Sequence, residues 1–293
     1  VLVTIEPFFD PRTWTLTYLV WDPATLDAVV VDPVLDYDPI RLRIHDESVQ
    51  KLLARVAELK LALRWVLETH AHADHLSGAD LLRRRTGAKI AIGARITDVQ
   101  QVFAGVFQLG DEFPRDGRQF DRLVTEADVL EAGSLRVGVL ETPGHTPACV
   151  TWRIGDAVFT GDALFMPDQG TGRCDFPNGS PEQLYTSIRK LYALPDATRV
   201  FVGHDYQPNG RPLRWETTVG EEKASNIQLR GDTARDQFVA WRAARDKTLN
   251  LPNLIFQSLQ VNIRAGALPP ATDGRRFLKL PINLFDEPLP EVP

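Results

Sequence analysis

The stretch LRWVLETHAHADHLSGADLLRRRTGAKIAIG, residues 63–93, constrains the fold more than any other part of the chain. It reads as a buried strand that runs straight into a loop, then a helix that stops near Gly87, then a second strand. Strand, loop, helix, strand is the unit of an α/β fold, where loops at the carboxyl ends of strands gather ligand residues. The loop holds His70, His72, Asp74 and His75, and the whole chain has only six histidines.

The segments around this unit read in the same way. TYLVWDPATLDAVVVDP is a hairpin pattern, and DESVQKLLARVAELK sets Val49, Leu52, Leu53, Val56 and Leu59 on one helical face. From about residue 123 the pattern is mostly β, through RLVTEADVLEAGSLRVGVLETPGH and CVTWRIGDAVFTGD. A helix, PEQLYTSIRKLYALP, precedes the strand TRVFVGHD, and beyond residue 213 the periodicity is helical. The expected organisation is a catalytic domain over 1–212 with a helical extension, 213–293, packed on it. The proline-rich end DEPLPEVP reads as a surface tail. No internal repeat or low-complexity segment is found, and Arg83, Arg84 and Arg85 read as the solvated face of a helix.

His145 in ETPGHTP, Asp162 in FTGDALF and His204 in FVGHDY each follow a β-like run. Five of the six histidines thus fall at strand ends; His45, in RLRIHDES, lacks that setting and reads as a surface residue. Any one of them alone is most simply a locally bonded histidine. Together with the carboxylates they are better explained by convergence on a first-row transition metal, which imidazole and carboxylate donors suit.

These residues resemble the metallo-β-lactamase superfamily. Its H-x-H-x-D-H loop is carried as His70, His72, Asp74 and His75, followed in the family's order by His145, Asp162 and His204. The resemblance implies a four-layer αββα sandwich with the metal at one edge of two sheets. Within the superfamily, THAHADHLSGA, GDALF and GTGRCDFPNGS look like the glutathione persulfide dioxygenases. In particular, the chain resembles the bacterial form with an extended, helical C-terminal segment containing NGRPLRWETTVGEEKASN and LQVNIRAG. That likeness implies one Fe(II) per chain on His70, His145 and Asp162, and the oxidation of glutathione persulfide by O2 to sulfite and glutathione.

The trio is chemically apt, because two histidines and a carboxylate on one face of Fe(II) leave positions open for a sulfur and for O2. Zinc lacks the redox chemistry. His72, Asp74, His75 and His204 are read as groups that orient the ligands from behind. In dinuclear hydrolases such as glyoxalase II, Asp74, His75 and His204 would instead supply a second metal. The first rival is therefore a thioesterase acting on S-acylglutathione with two metals and a bridging hydroxide. HLSGAD departs from the double glycine usual after that family's loop. A structural metal site, the second rival, would normally be closed and thiolate-rich.

Glutathione carries two carboxylates, so arginine forks and hydroxyl donors are expected around it. Arg173 and Tyr206 match substrate-pocket positions of the resembling family, and Arg211 and Arg214 in NGRPLRW follow shortly after. Cys174 is read as a packing residue and Cys149 as core. Two cysteines are too few for a disulfide framework, and neither a secretory leader nor a membrane-spanning run is found, so a cytoplasmic location is expected. A formal charge of −6 without a basic tract argues against nucleic-acid partners. A homo-oligomer is compatible with the pattern, which does not specify one.

Overall fold

The strand Asp27–Val31 shows what the chain must build around it. Ala28 and Val30 face one way, Val29 and Val31 the other, and all four are buried, so the sheet needs apolar cover on both faces. The computed structural model, which describes residues 3–282 and Leu284, meets that need with two sheets and outer helices. The proline-rich end expected to be a surface tail lies outside the described residues.

The first sheet runs in the order Thr4–Asp10, Thr15–Trp21, Asp27–Val31, Ala62–Leu67, Lys89–Gly93 and Arg122–Val124. Its first three strands are antiparallel, the second and third being the expected hairpin, and the remainder are parallel. The second sheet runs Val129–Ala132, Leu135–Glu141, Val150–Ile154, Ala157–Phe159, Arg199–Phe201 and Glu216–Thr218. A small sheet joins Arg43–His45, Val34–Asp38 and Leu76–Ser77.

Side chains from the facing sheets interdigitate in one core, with Tyr18, Val29 and Val31 meeting Trp152, Phe159 and Phe201. On the outer face of the first sheet lie α1 (Glu47–Glu58), α2 (Ala79–Thr86) and α3 (Ile96–Val106). The second sheet is covered by α4 (Pro181–Tyr192), with α5 (Val219–Ser225) and α6 (Arg235–Asp246) beside it. Finally α7 (Ile255–Asn262) joins the first helical layer and packs behind the strand Leu76–Ser77. This is the αββα sandwich. Among the described residues no helix is long and apolar enough to cross a membrane.

Local expectations hold where periodicity was strong: α1 buries Val49, Leu52 and Val56, and α2 stops at Gly87. The helical reading from residue 213 fails at Glu216–Thr218, which is a strand because it pairs antiparallel with Arg199–Phe201. A three-residue ladder is decided by its partner, not by local propensity.

Within α5, Glu222 is fully buried, and its Oε2 accepts a hydrogen bond from Asn226 Nδ2 at 2.7 Å. Burial pushes its carboxyl pKa up to about 8 from an ordinary 4.5. The folded protein therefore holds a proton that the unfolded chain releases, and stability must fall between pH 4.5 and about 8. Glu222→Gln should raise the melting temperature at pH 8 clearly more than at pH 5, because the penalty grows by about 1.4 kcal/mol per pH unit. Parallel melting curves for the two proteins across that range would contradict the assignment.

Candidate metal centre

Five strand-end loops converge at one edge of the sandwich. Asp32 follows Asp27–Val31, residues 68–75 follow Ala62–Leu67, His145 follows Leu135–Glu141, Asp162 follows Ala157–Phe159, and His204 follows Arg199–Phe201. Two glycines make the close approach feasible. Gly144 has φ +143, and a Cβ there would lie 2.4 Å from the Leu184 backbone. Gly161 has φ +49, and a Cβ would lie 2.3 Å from Thr69 Oγ1. Both are conformations and spaces that L side chains do not fit.

The imidazoles are oriented by what binds their far nitrogens. Thr69 donates both its amide N–H and its hydroxyl to Asp32, at 2.7 Å each. With its proton committed, Thr69 Oγ1 accepts from His70 Nδ1–H at 3.0 Å, which leaves the His70 Nε2 lone pair free. His145 Nδ1 lies 2.7 Å from the Arg173 carbonyl, which only accepts, so its Nε2 is also free. Burial, then the neighbouring His72 and His145, hold the His70 pKa well below its ordinary value, which keeps the ring neutral as a ligand must be.

These two nitrogens face one carboxylate. His70 Nε2 is 4.0 Å and His145 Nε2 3.7 Å from Asp162 Oδ2. Two metal–ligand bonds of about 2.1 Å reach across at most about 4.2 Å, so one ion fits between the three. His70, His145 and Asp162 form one cluster with metal-binding spacing, and His72, Asp74 and His75 form another. His70 Nε2, His75 Nε2, His204 Nε2 and Asp162 Oδ1 are buried without a hydrogen-bond partner among the described residues. Buried polar atoms left in that state call for a cation.

The other four residues surround this trio. His72 Nε2 lies 3.1 Å from Asp32 Oδ1 and 3.4 Å from Glu68 Oε2. Burial works against charge on His72, but Asp32 and then Glu68 outweigh it and raise its pKa well above the ordinary value. His75 Nδ1–H donates to Asp74 Oδ2 at 3.1 Å. His204 Nε2 sits 3.4 Å from Asp74 Oδ2 and 3.3 Å from Asp162 Oδ1. Burial opposes the Asp74 charge, yet His204 and His75 hold its pKa well below the usual carboxylate range. Asp162 thus turns Oδ2 toward His70 and His145 and Oδ1 toward His204.

A cavity of about 660 Å³ opens above Asp74, His145 and Asp162. Arg173 and Tyr206 line it, as do Trp14, Arg12, Arg41 and His45. His45, read from the sequence as a plain surface residue, therefore stands at the cavity, carried there by pairing of its strand with Val34–Asp38. Its small sheet gave no signal beyond that short run. Arg211 and Arg214 are not among the lining residues. Arg211 spends its guanidinium on Asp168 and Asp205, and Arg214 reaches Glu221 at 3.0 Å beside a separate depression. Arg173 is held by Asp175 at 2.6 Å and by the Asn250 carbonyl at 2.7 Å. Cys174 and Cys149 are buried, with thiol pKa values pushed up by burial.

The fold and donor set define a metal-dependent enzyme of the αββα class. A family model described as the Metallo-beta-lactamase superfamily matches residues 15–204, and the chain belongs to that superfamily. It is 49% identical over 292 residues to a probable metallo-hydrolase of Burkholderia pseudomallei, covering 96% of this chain and 99% of the relative. Glyoxylase B2 of Dictyostelium discoideum is 45% identical over 286 residues, 97% of this chain and 98% of the relative. The mitochondrial persulfide dioxygenase ETHE1 of Bos taurus is 32% identical over 273 residues, 92% and 91% of the two chains. Among solved structures, ETHE1 from Myxococcus xanthus superposes with a TM-score of 0.72 at 35% identity, covering 90% of this chain and all (100%) of that one.

If Thr69 sets the His70 tautomer, Thr69→Val should lower the melting temperature, because Asp32 Oδ2 loses a buried donor, and in the folded protein weaken metal binding about 10- to 100-fold. Anaerobic chelator competition with Fe(II) measures this, and an unchanged affinity would refute the role.

Proposed function

We propose that this chain is a mononuclear Fe(II) dioxygenase that converts glutathione persulfide and O2 to sulfite and glutathione. One observation carries the reading: two imidazoles and one carboxylate bring ligand atoms within 4.8 Å of one another at the floor of an open cavity. The likeness to persulfide dioxygenases over nine-tenths of the chain supports it, being 92% for the bovine protein.

Iron held by His70, His145 and Asp162 would supply the redox chemistry that joins a sulfur to O2. The sulfane sulfur gives up four electrons, as many as O2 takes. Water provides the third oxygen of sulfite, and the inner sulfur leaves as the thiol. The chain's own residues bind and orient. Arg173, Arg12 and Arg41 line the cavity, each paired with a carboxylate of the chain (Asp175; Asp10 and Asp36; Asp38), and would have to share or exchange those partners to hold the two carboxylates of glutathione. Tyr206 stacks on His204 at 5.5 Å between ring centroids and packs against Trp14 at 6.0 Å, forming an aromatic wall beside the centre. Tyr206 is 48% exposed and lines the cavity, so its phenol O–H is open to donate to a bound substrate.

A second reading is favoured by Asp162, whose Oδ2 faces His70 and His145 while its Oδ1 lies 3.3 Å from His204 Nε2, so that the carboxylate has a histidine on each side. It is a dinuclear thioesterase acting on S-acylglutathione. After anaerobic loading with Fe(II), the protein should bind about one iron per chain. It should then consume O2 and release sulfite in equal amounts from glutathione persulfide. S-D-lactoylglutathione should be hydrolysed little or not at all. Two metals per chain with rapid thioester hydrolysis and no oxygen uptake would overturn the dioxygenase reading in favour of the second.

A further inference from the structure

The carbonyl that orients His145 belongs to the peptide between Arg173 and Cys174. The amide N–H of that same peptide donates to Asp246 Oδ2 at 2.9 Å, and the carbonyl accepts from His145 Nδ1 at 2.7 Å. The peptide is planar and stiff, so its two ends cannot turn independently. Asp246 sits at the end of α6, 4% exposed, and its other oxygen accepts from Arg242 Nη2 on the same helix. Arg242, 3% exposed, also reaches Gln228 Oε1 at 3.3 Å. A buried carboxylate is costly unless paired and hydrogen-bonded. Here the second oxygen is spent on one loop amide, from a helix far along the chain.

We infer that Asp246 is a positioning residue for the metal centre, acting on His145 through the 173–174 peptide. This rests on the reading that His145 is a metal ligand. Histidine ligands commonly donate their far N–H to a carboxylate, which fixes the ring and raises its basicity. Here a peptide stands between the two. An anion accepting from the amide N–H draws electron density toward the carbonyl oxygen and makes it a better acceptor, since hydrogen bonds in a chain polarise one another. His145 thereby gains the orientation and part of the basicity of a carboxylate-bound histidine, while the charge stays away from the cavity. Arg242 balances the buried carboxylate and fixes its rotamer. The helix α6 thus completes a site whose ligands all lie before residue 205.

The test uses the full chain stripped of metal and titrated with Co(II). The double variant Asp246→Asn/Arg242→Gln removes both charges together, so neither is left buried alone. The introduced asparagine carboxamide still accepts from the Cys174 amide and donates to the introduced glutamine. The variant should fold with a melting temperature near that of the wild type in the metal-free form. It should bind Co(II) about tenfold more weakly or worse, with a changed ligand-field spectrum. In the zinc-loaded protein its His145 Nδ1–H proton resonance should move upfield. A folded double variant with wild-type affinity and an unshifted resonance overturns the proposal. Should that variant not fold, the zinc-loaded wild type decides. Scalar couplings across both hydrogen bonds, His145 Nδ1 to the Arg173 carbonyl carbon and Cys174 N to Asp246 Cγ, are expected, and absence of either overturns the proposal. A wild type that binds no metal would instead remove the metal-centre reading itself.

Discussion

A buried carboxylate, Asp32, ties the site to the fold. It stands at the end of the strand Asp27–Val31 with φ +48, and its amide donates to the Leu67 carbonyl on the neighbouring strand. Its backbone carbonyl accepts from the Thr17 hydroxyl, and its side chain takes both donors of Thr69. Three strands and the histidine loop are thus registered against one residue. The same carboxylate lies 3.1 Å from His72 Nε2. A donor atom kept free for a metal is an unsatisfied buried group, and each such group is costly. Asp32 offsets part of that cost by taking two hydrogen bonds from Thr69 and, through the Thr69 hydroxyl, fixing the His70 ring.

The histidine loop is closed from the opposite side by the C-terminal part of the chain. Asn262 of α7 donates from Nδ2 to the carbonyls of His72 and His75, both at 2.8 Å, and accepts the Ser77 amide at 2.8 Å. Only a carboxamide offers two donors and an acceptor at this scale. The centre is thus clamped between the first sheet and helices distant in sequence, consistent with the need to hold ligands rigidly.

Much of this was legible beforehand, and for physical reasons. The period of two in DAVVVDP and the helical spacing of Val49, Leu52 and Val56 are local signals that burial enforces. The histidines stood out because each follows a β-like run, and loops at strand ends bring residues distant in sequence to one edge of the sheets. What stayed hidden depends on tertiary partners. Glu216–Thr218 is a strand through its neighbour, His45 joins the cavity through a three-residue pairing, and Asp246 meets the Cys174 amide from 72 positions further along the chain. Arg211 was a fair candidate for a carboxylate, and it does bind carboxylates, but those of Asp168 and Asp205 within the protein. An arginine's chemistry is readable from its type, whereas its partner is not.

The central claim is that the free donors of His70, His145 and Asp162 define one metal position and that Asp74, His75 and His204 support it without holding a second ion. Anomalous diffraction at the iron edge from crystals grown anaerobically with excess Fe(II) tests this most directly. The account requires a single strong peak within bonding distance of His70 Nε2, His145 Nε2 and Asp162 Oδ2. Two peaks of equal height bridged by Asp162, or a lone peak beside Asp74, His75 and His204, would contradict it.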